Sequence, residues 1–212
     1  MIGSNVIIDL SHHNGQVDLQ KAADSCIVAV IQKATEGTAY RDPTFALNRQ
    51  KAAAAGLLFG AYHFGAGADG VAQAEFFLNV VQPQPGDLLV LDFETNTQGP
   101  SMTMEQARAF VTHVQRVNGR FPGLYSGSYL KELLGSATDP VLTNCWLWLS
   151  QYGPKAVIPP AWKAWTMWQY TNGAVGPEPV AVPGVGACDR DTFNGTVDDL
   201  KAFWRPATAT AP

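Results

Sequence analysis

The chain is poor in charge. Only 15% of its 212 residues are Asp, Glu, Lys or Arg, with 14 basic against 18 acidic side chains and a formal net charge of −4. Globular chains usually carry about a quarter. With no basic excess to neutralise a phosphate backbone, nucleic acid is excluded as a partner. Cysteine is scarce too. Cys26, Cys145 and Cys188 lie far apart without a C-x-x-C pair. An odd count leaves at least one thiol unpaired within the chain and excludes a disulfide scaffold, so each reads as a buried free thiol. No stretch approaches the roughly 18 consecutive apolar residues of a membrane span. No H-x-H or H-E-x-x-H pattern accompanies His12-His13, which reads as a loop or structural pair, and no metal is expected. Neither G-x-S-x-G nor a phosphate-binding glycine loop occurs, and no cofactor is expected.

What remains is an apolar, aromatic chain, 46% hydrophobic with six Trp. Short β-branched runs alternate with Ala-rich stretches. Strands are expected at Val6–Leu10, Ile27–Ile31, Leu57–Phe64, Asp87–Glu94, Pro122–Ser126, Trp146–Leu149, Thr166–Tyr170 and Gly186–Asp189. Continuous apolar runs such as Ile27–Ile31 suit strands buried on both faces. Helices are expected from an Asp42 cap and Pro43 to Ala55, stopped by Gly56, and over Gly70–Val81. Two more are expected, Met104–Asn118 between a Thr103 cap and Gly119, and a closing Val197–Trp204. Roughly eight strands with intervening helices predict a single-domain α/β fold, a parallel (β/α) barrel of TIM-barrel type with fewer helices after residue 135. Residues 1–204 form the domain, and 205–212, small and Pro-bounded, read as a flexible tail or linker remnant.

In such a barrel reactive groups sit at the C-terminal ends of strands. Asp9, the Lys33 to Glu36 segment, His63, Asp92 with Glu94, and Asp189 all fall at expected strand ends. Asp92 and Glu94 share one face of a strand, their Cα atoms about 6.5–7 Å apart, while Phe93 points into the packing layer. Two such carboxylates repel each other when both are ionised, so one retains its proton near neutral pH, as a general acid must. Paired carboxylates of unlike protonation are the machinery of glycoside hydrolysis. Tyr62, Tyr125, Trp148, Trp168 and Tyr170 lie at or near strand ends, where aromatic faces pack on pyranose rings.

Seven segments resemble the glycoside hydrolase family 25 lysozymes, the Chalaropsis-type N-acetylmuramidases, in order and along residues 5 to 204. They are Ile8–Gly15, Lys33–Thr38, Gly60–Phe64, Leu91–Glu94, Leu147–Tyr152, Trp168–Tyr170 and Asp189–Gly195. The resemblance implies an irregular, flattened barrel and cleavage of β-1,4 bonds between N-acetylmuramic acid and N-acetylglucosamine. It implies Glu94 as general acid/base and Asp92 as either nucleophile or support for the substrate's own acetamido group. Asp9 and Asp189 become the outer acids. Beside these four acids, Glu36, Tyr62, His63, Tyr125, Trp148, Gln169 and Tyr170, at or near expected strand ends, are the expected substrate contacts. The pattern departs from the family in two places: Cys188 stands where Val is usual and Asp191 where Asn is usual, and two His follow Ser11 where many relatives have one. The expected partner is bacterial peptidoglycan, met by a monomer at the cell wall, in the periplasm or outside the cell. The first residues carry no secretory signal pattern, so holin release, delivery by a secretion system or a removed leader would bring it there. The rival readings are a non-catalytic wall-binding barrel and a hydrolase of another aminosugar polymer such as chitin.

Overall fold

A computed structural model describes residues 4–205. Most of the expected tail, residues 206–212, lies outside that range. In chain order the elements are β1 (Ser4–Leu10), α1 (Leu19–Asp24), β2 (Ala29–Glu36), β3 (Tyr40–Arg41), α2 (Phe45–Ala54), β4 (Leu58–Phe64), α3 (Gly70–Val81), β5 (Leu88–Asp92) and α4 (Met104–Asn118). There follow β6 (Gly123–Ser126), α5 (Ser128–Leu134), β7 (Trp146–Ser150), β8 (Met167–Thr171), β9 (Ala181–Val182), β10 (Gly186–Ala187), β11 (Asp189–Phe193) and α6 (Val197–Trp204). Strands β1, β2, β4, β5, β6, β7 and β8 pair in parallel, and β11 closes the barrel between β8 and β1. Between Leu134 and Val197 the described residues form no α-helix, so the second half is strand and loop.

The closing strand corrects two expectations. β11 runs antiparallel to both neighbours, so the barrel is mixed rather than wholly parallel. The last strand also starts at Asp189 instead of ending there, and Gly186–Ala187 belongs to a small hairpin with Ala181–Val182. Reversal puts the first residue of β11 at the same mouth as the last residues of the parallel strands, and Asp189 pairs with Asp9.

Two packing layers follow from alternation along the strands. Ile7, Ala29, Ile31, Leu88, Val90 and Met167 fill the barrel interior, and Trp204 of α6 closes its floor, its indole N–H donating to the Phe59 carbonyl at 2.8 Å. Ile8, Leu10, Val30, Ala61, Leu89 and Leu91 face outward against α3 and α4 residues such as Phe77 and Phe110. Thr103 caps α4 in a reciprocal box with Gln106, and Gly119 ends it at φ +77°, a left-handed position that glycine adopts without strain. Asp42 does not cap α2. Its Oδ1 takes the Thr44 N–H and hydroxyl, its Oδ2 takes the His12 N–H, and the helix starts at Phe45. Cys26 is exposed, unlike the buried Cys145 and Cys188.

Gly123 shows how tightly the wall is built, because a Cβ there runs into the Trp146 ring. Gly123→Ala is expected to destabilise the fold by about 1–3 kcal/mol through overpacking, read as a lower urea midpoint. An unchanged midpoint would show that the β6–β7 contact is loose.

Candidate active site

The mouth of the barrel holds a cleft of about 350 Å³ lined by Asp9, Tyr62, Asp92, Glu94, Tyr125, Trp148, Gln169 and Asp189. Its acids arrive from three parts of the chain. Asp92 is the last residue of β5, and Glu94 stands two residues beyond. This short segment is pinned on both sides. The Gly65 N–H donates to the Asp92 carbonyl at 2.9 Å, the Phe93 N–H to the Tyr125 carbonyl at 2.9 Å, and the Ser126 hydroxyl to the Phe93 carbonyl at 2.5 Å. Phe93 is fully buried against Tyr129, on the side away from the cleft. The expected alternation therefore holds, and both carboxylates line the cleft.

Burial sets the protonation of these groups. Asp92 is held well above the ordinary carboxylate range by desolvation and then by the charge of Glu94, with Lys33 opposing. Its Oδ1 is buried and meets no hydrogen-bond donor. Glu94, half-buried, is raised by desolvation, with Lys33 again opposing and Asp189 adding to the rise. Burial pushes Asp189 up to about 6. Both carboxyls of the Asp92–Glu94 pair therefore hold their protons to higher pH than free carboxylic acids do, the direction a general acid requires. Lys33, 11% exposed at its side chain, supplies the nearby positive charge and is itself paired with Glu36 at 2.7 Å. Glu36 thus bears on the site through Lys33 and does not line the cleft.

A hydrogen-bonded chain supports the other wall. Gln169 Nε2 donates to Asp9 Oδ2 at 2.7 Å, and the Tyr125 hydroxyl lies 2.8 Å from Gln169 Oε1 and 2.9 Å from Ser150 Oγ. The Tyr125 and Trp148 rings meet edge to face with centroids 4.8 Å apart. Both are nearly buried, so they shape the floor, whereas Tyr152, 38% exposed, offers an accessible ring at the rim.

Besides Glu36, two further expected contacts fall elsewhere. His63 is fully buried behind the barrel wall, stacked on Phe110 with centroids 5.0 Å apart. Gln73 Oε1 accepts the Ala66 N–H at 2.9 Å and lies 3.1 Å from His63 Nε2, while Thr35 Oγ1 lies 2.8 Å from Nδ1. These partners fit a neutral ring with its proton on Nε2. The Tyr170 hydroxyl binds Asn5 at 2.6 Å and the Pro179 carbonyl at 2.9 Å, outside the cleft. Period-two alternation carries the signal: neighbours on a strand face opposite ways, so Tyr62 and His63, or Gln169 and Tyr170, do not share one cleft. Of the residues that sequence reasoning missed, Ser11, Tyr152 and Asn172 lie on loops, and His13 and Asn14 lie in a single 3-10 turn, His12–Asn14, too short to show a period.

His63 consequently bears on stability. Desolvation lowers its pKa to about 4, from 6.5 for a free imidazole. Below the free value the unfolded chain takes a proton that the folded chain refuses, so stability is full above that pH and falls as pH drops toward the folded value. The expected loss across this window is about 3 kcal/mol. Urea unfolding at several pH values is expected to show it in the wild type and to show a flatter profile in His63→Gln. An equally steep profile in that variant would assign the acid sensitivity to other groups.

The family model described as glycosyl hydrolases family 25 matches residues 8–178. Asp189 lies past that match, and the structural likeness carries further. The crystal structure of the bacterial lysozyme from Streptomyces coelicolor superimposes with a TM-score of 0.83 at 31% identity, covering 94% of this chain and 96% of that one. Lysozyme M1 of Streptomyces globisporus is 29% identical over 92% of this chain and 70% of its own length. The N,O-diacetylmuramidase of Chalaropsis sp is 29% identical over 91% of this chain and 95% of its own.

Proposed function

The chain belongs to glycosyl hydrolases family 25 and is a glycoside hydrolase of an aminosugar polymer, and from that premise we propose that it is a muramidase, cutting peptidoglycan on the reducing side of N-acetylmuramic acid. The observation that carries this reading is the convergence of Asp9, Asp92, Glu94 and Asp189 on one aromatic-floored cleft. Glu94, half-buried and raised in pKa, donates its proton to the leaving glycosidic oxygen and later takes one from the attacking water.

Asp92 acts on the substrate's 2-acetamido group. Asp92 lines the cleft beside Glu94, where its carboxylate can accept the acetamido N–H. Held there, the acetamido oxygen attacks the anomeric carbon as the bond to the leaving oxygen breaks, giving a cyclic oxazolinium that water then opens. Substrate assistance of this kind needs no bond between protein and sugar. Asp9 and Asp189 add negative potential where the oxocarbenium-like charge develops. The work belongs at the bacterial wall, where this polymer lies.

Turnover on purified wall glycan compared with chitin oligomers tests the reading. Release of reducing ends from the wall glycan, with little from chitin, is expected. Preferential release from chitin would identify a chitinase, and tight wall binding without release would identify a binding module.

A further inference from the structure

Asp191 has no part in the chemistry above, yet it is fully buried beneath the cleft. It stands on β11 opposite Gln169 of β8 and Ile7 of β1, two residues from Asp189 and on the same inward face. Its Oδ1 accepts the Trp148 indole N–H at 2.6 Å, while its Oδ2 is buried and meets no N–H or O–H donor. The group within its hydrogen-bonding reach is another acid, the carboxyl of Asp9. Two carboxylates offer four acceptor oxygens and no donor, so contact between them requires a proton.

We infer that Asp9 and Asp191 are joined carboxyl to carboxyl by a shared proton, and that Asp191 is thereby a positioning residue, holding Asp9 in the cleft wall. The pair itself stands without the muramidase reading, and its effect on turnover rests on it. The surroundings hold the proton in place. Asp189 adds negative charge from the same strand. Trp148 and Gln169, from β7 and β8, are neutral donors. Arg190 contributes an opposing positive field, but its Nη1 is turned to the Ala181 carbonyl at 3.0 Å. Cys188 and Tyr170, also near, have their own pKa values raised and stay neutral. Burial accordingly pushes Asp191 up to about 8. The titration belongs to the pair rather than to one residue.

The Trp148 indole N–H is a built-in reporter, since it donates to Asp191. Its nitrogen–proton resonance, assigned with Trp148→Phe, is followed between about pH 5 and pH 10 in wild type and in Asp191→Asn. Asn retains the acceptor for Trp148 and offers Asp9 an amide N–H in place of the shared proton. The expected result is a titration step near pH 8 in wild type and a flat signal in Asp191→Asn. Alongside it, Asp191→Leu is expected to lower kcat/KM by about tenfold, with Asp191→Asn recovering most of that loss. A flat wild-type signal, or the same step in both proteins, overturns the shared proton whatever polymer the enzyme cuts. Equal impairment in Leu and Asn variants overturns the positioning role.

Discussion

Glu94→Gln is expected to lower kcat on purified cell walls by about 10³-fold or more, leaving the free energy of unfolding in urea within about 0.5 kcal/mol of wild type. The amide keeps the size and hydrogen bonding of the side chain but has no proton to give. The loss should be in kcat, because proton transfer belongs to the transition state and not to binding. Desolvation and Asp189 raise the Glu94 pKa. The wild type should therefore stay active at a higher pH than an ordinary carboxylic acid would permit. Activity should fall once Glu94 ionises, and neutralising Asp189 by Asp189→Asn should move that alkaline limb downward. An alkaline limb unchanged in Asp189→Asn would disconnect the two acids.

Asp92→Asn is expected to lower kcat by about 10²–10³-fold with little change in KM. The carboxylate is needed as the acetamido nitrogen gains positive character, a change that occurs on the way to the transition state. The wild type should likewise lose most of its rate on glycan whose 2-acetamido groups have been removed, because the attacking oxygen is then missing. A sugar trapped covalently on Asp92, found by mass spectrometry of the digested protein, would contradict substrate assistance and make Asp92 the nucleophile.

The site's centre was legible because short apolar runs end in acids. Leu88–Leu91 leads into Asp92, and the period of two then places Glu94 on the same side. Asp9 follows from the same logic at the end of β1. Asp189 reaches the expected mouth by a different route. A parallel strand ending there and an antiparallel strand starting there place it alike, and local sequence does not encode which holds. That direction depends on the loop from Thr171 to Cys188, which has no helix to carry a parallel crossover. His63 and Tyr170 show the cost of judging residues by closeness to a strand end while ignoring the face they occupy. Tyr152 reaches the cleft from a loop and His13 from a single 3-10 turn, where neither period operates. Lys33 stands in the segment expected at the end of the second strand, but its pairing with Glu36 and its place as the site's counter-charge depend on β2 extending through Glu36, beyond the apolar run that marks it in the sequence.

The most direct measurement of the central claim is the mass of the sugar at the new reducing end after peptidoglycan is digested by wild type and by Glu94→Gln, each first reduced with borohydride. N-acetylmuramic acid as the reduced sugar in the wild-type digest, with no new reducing ends from Glu94→Gln, is the expected result. N-acetylglucosamine at the reduced end, or the same products from both proteins, would contradict it.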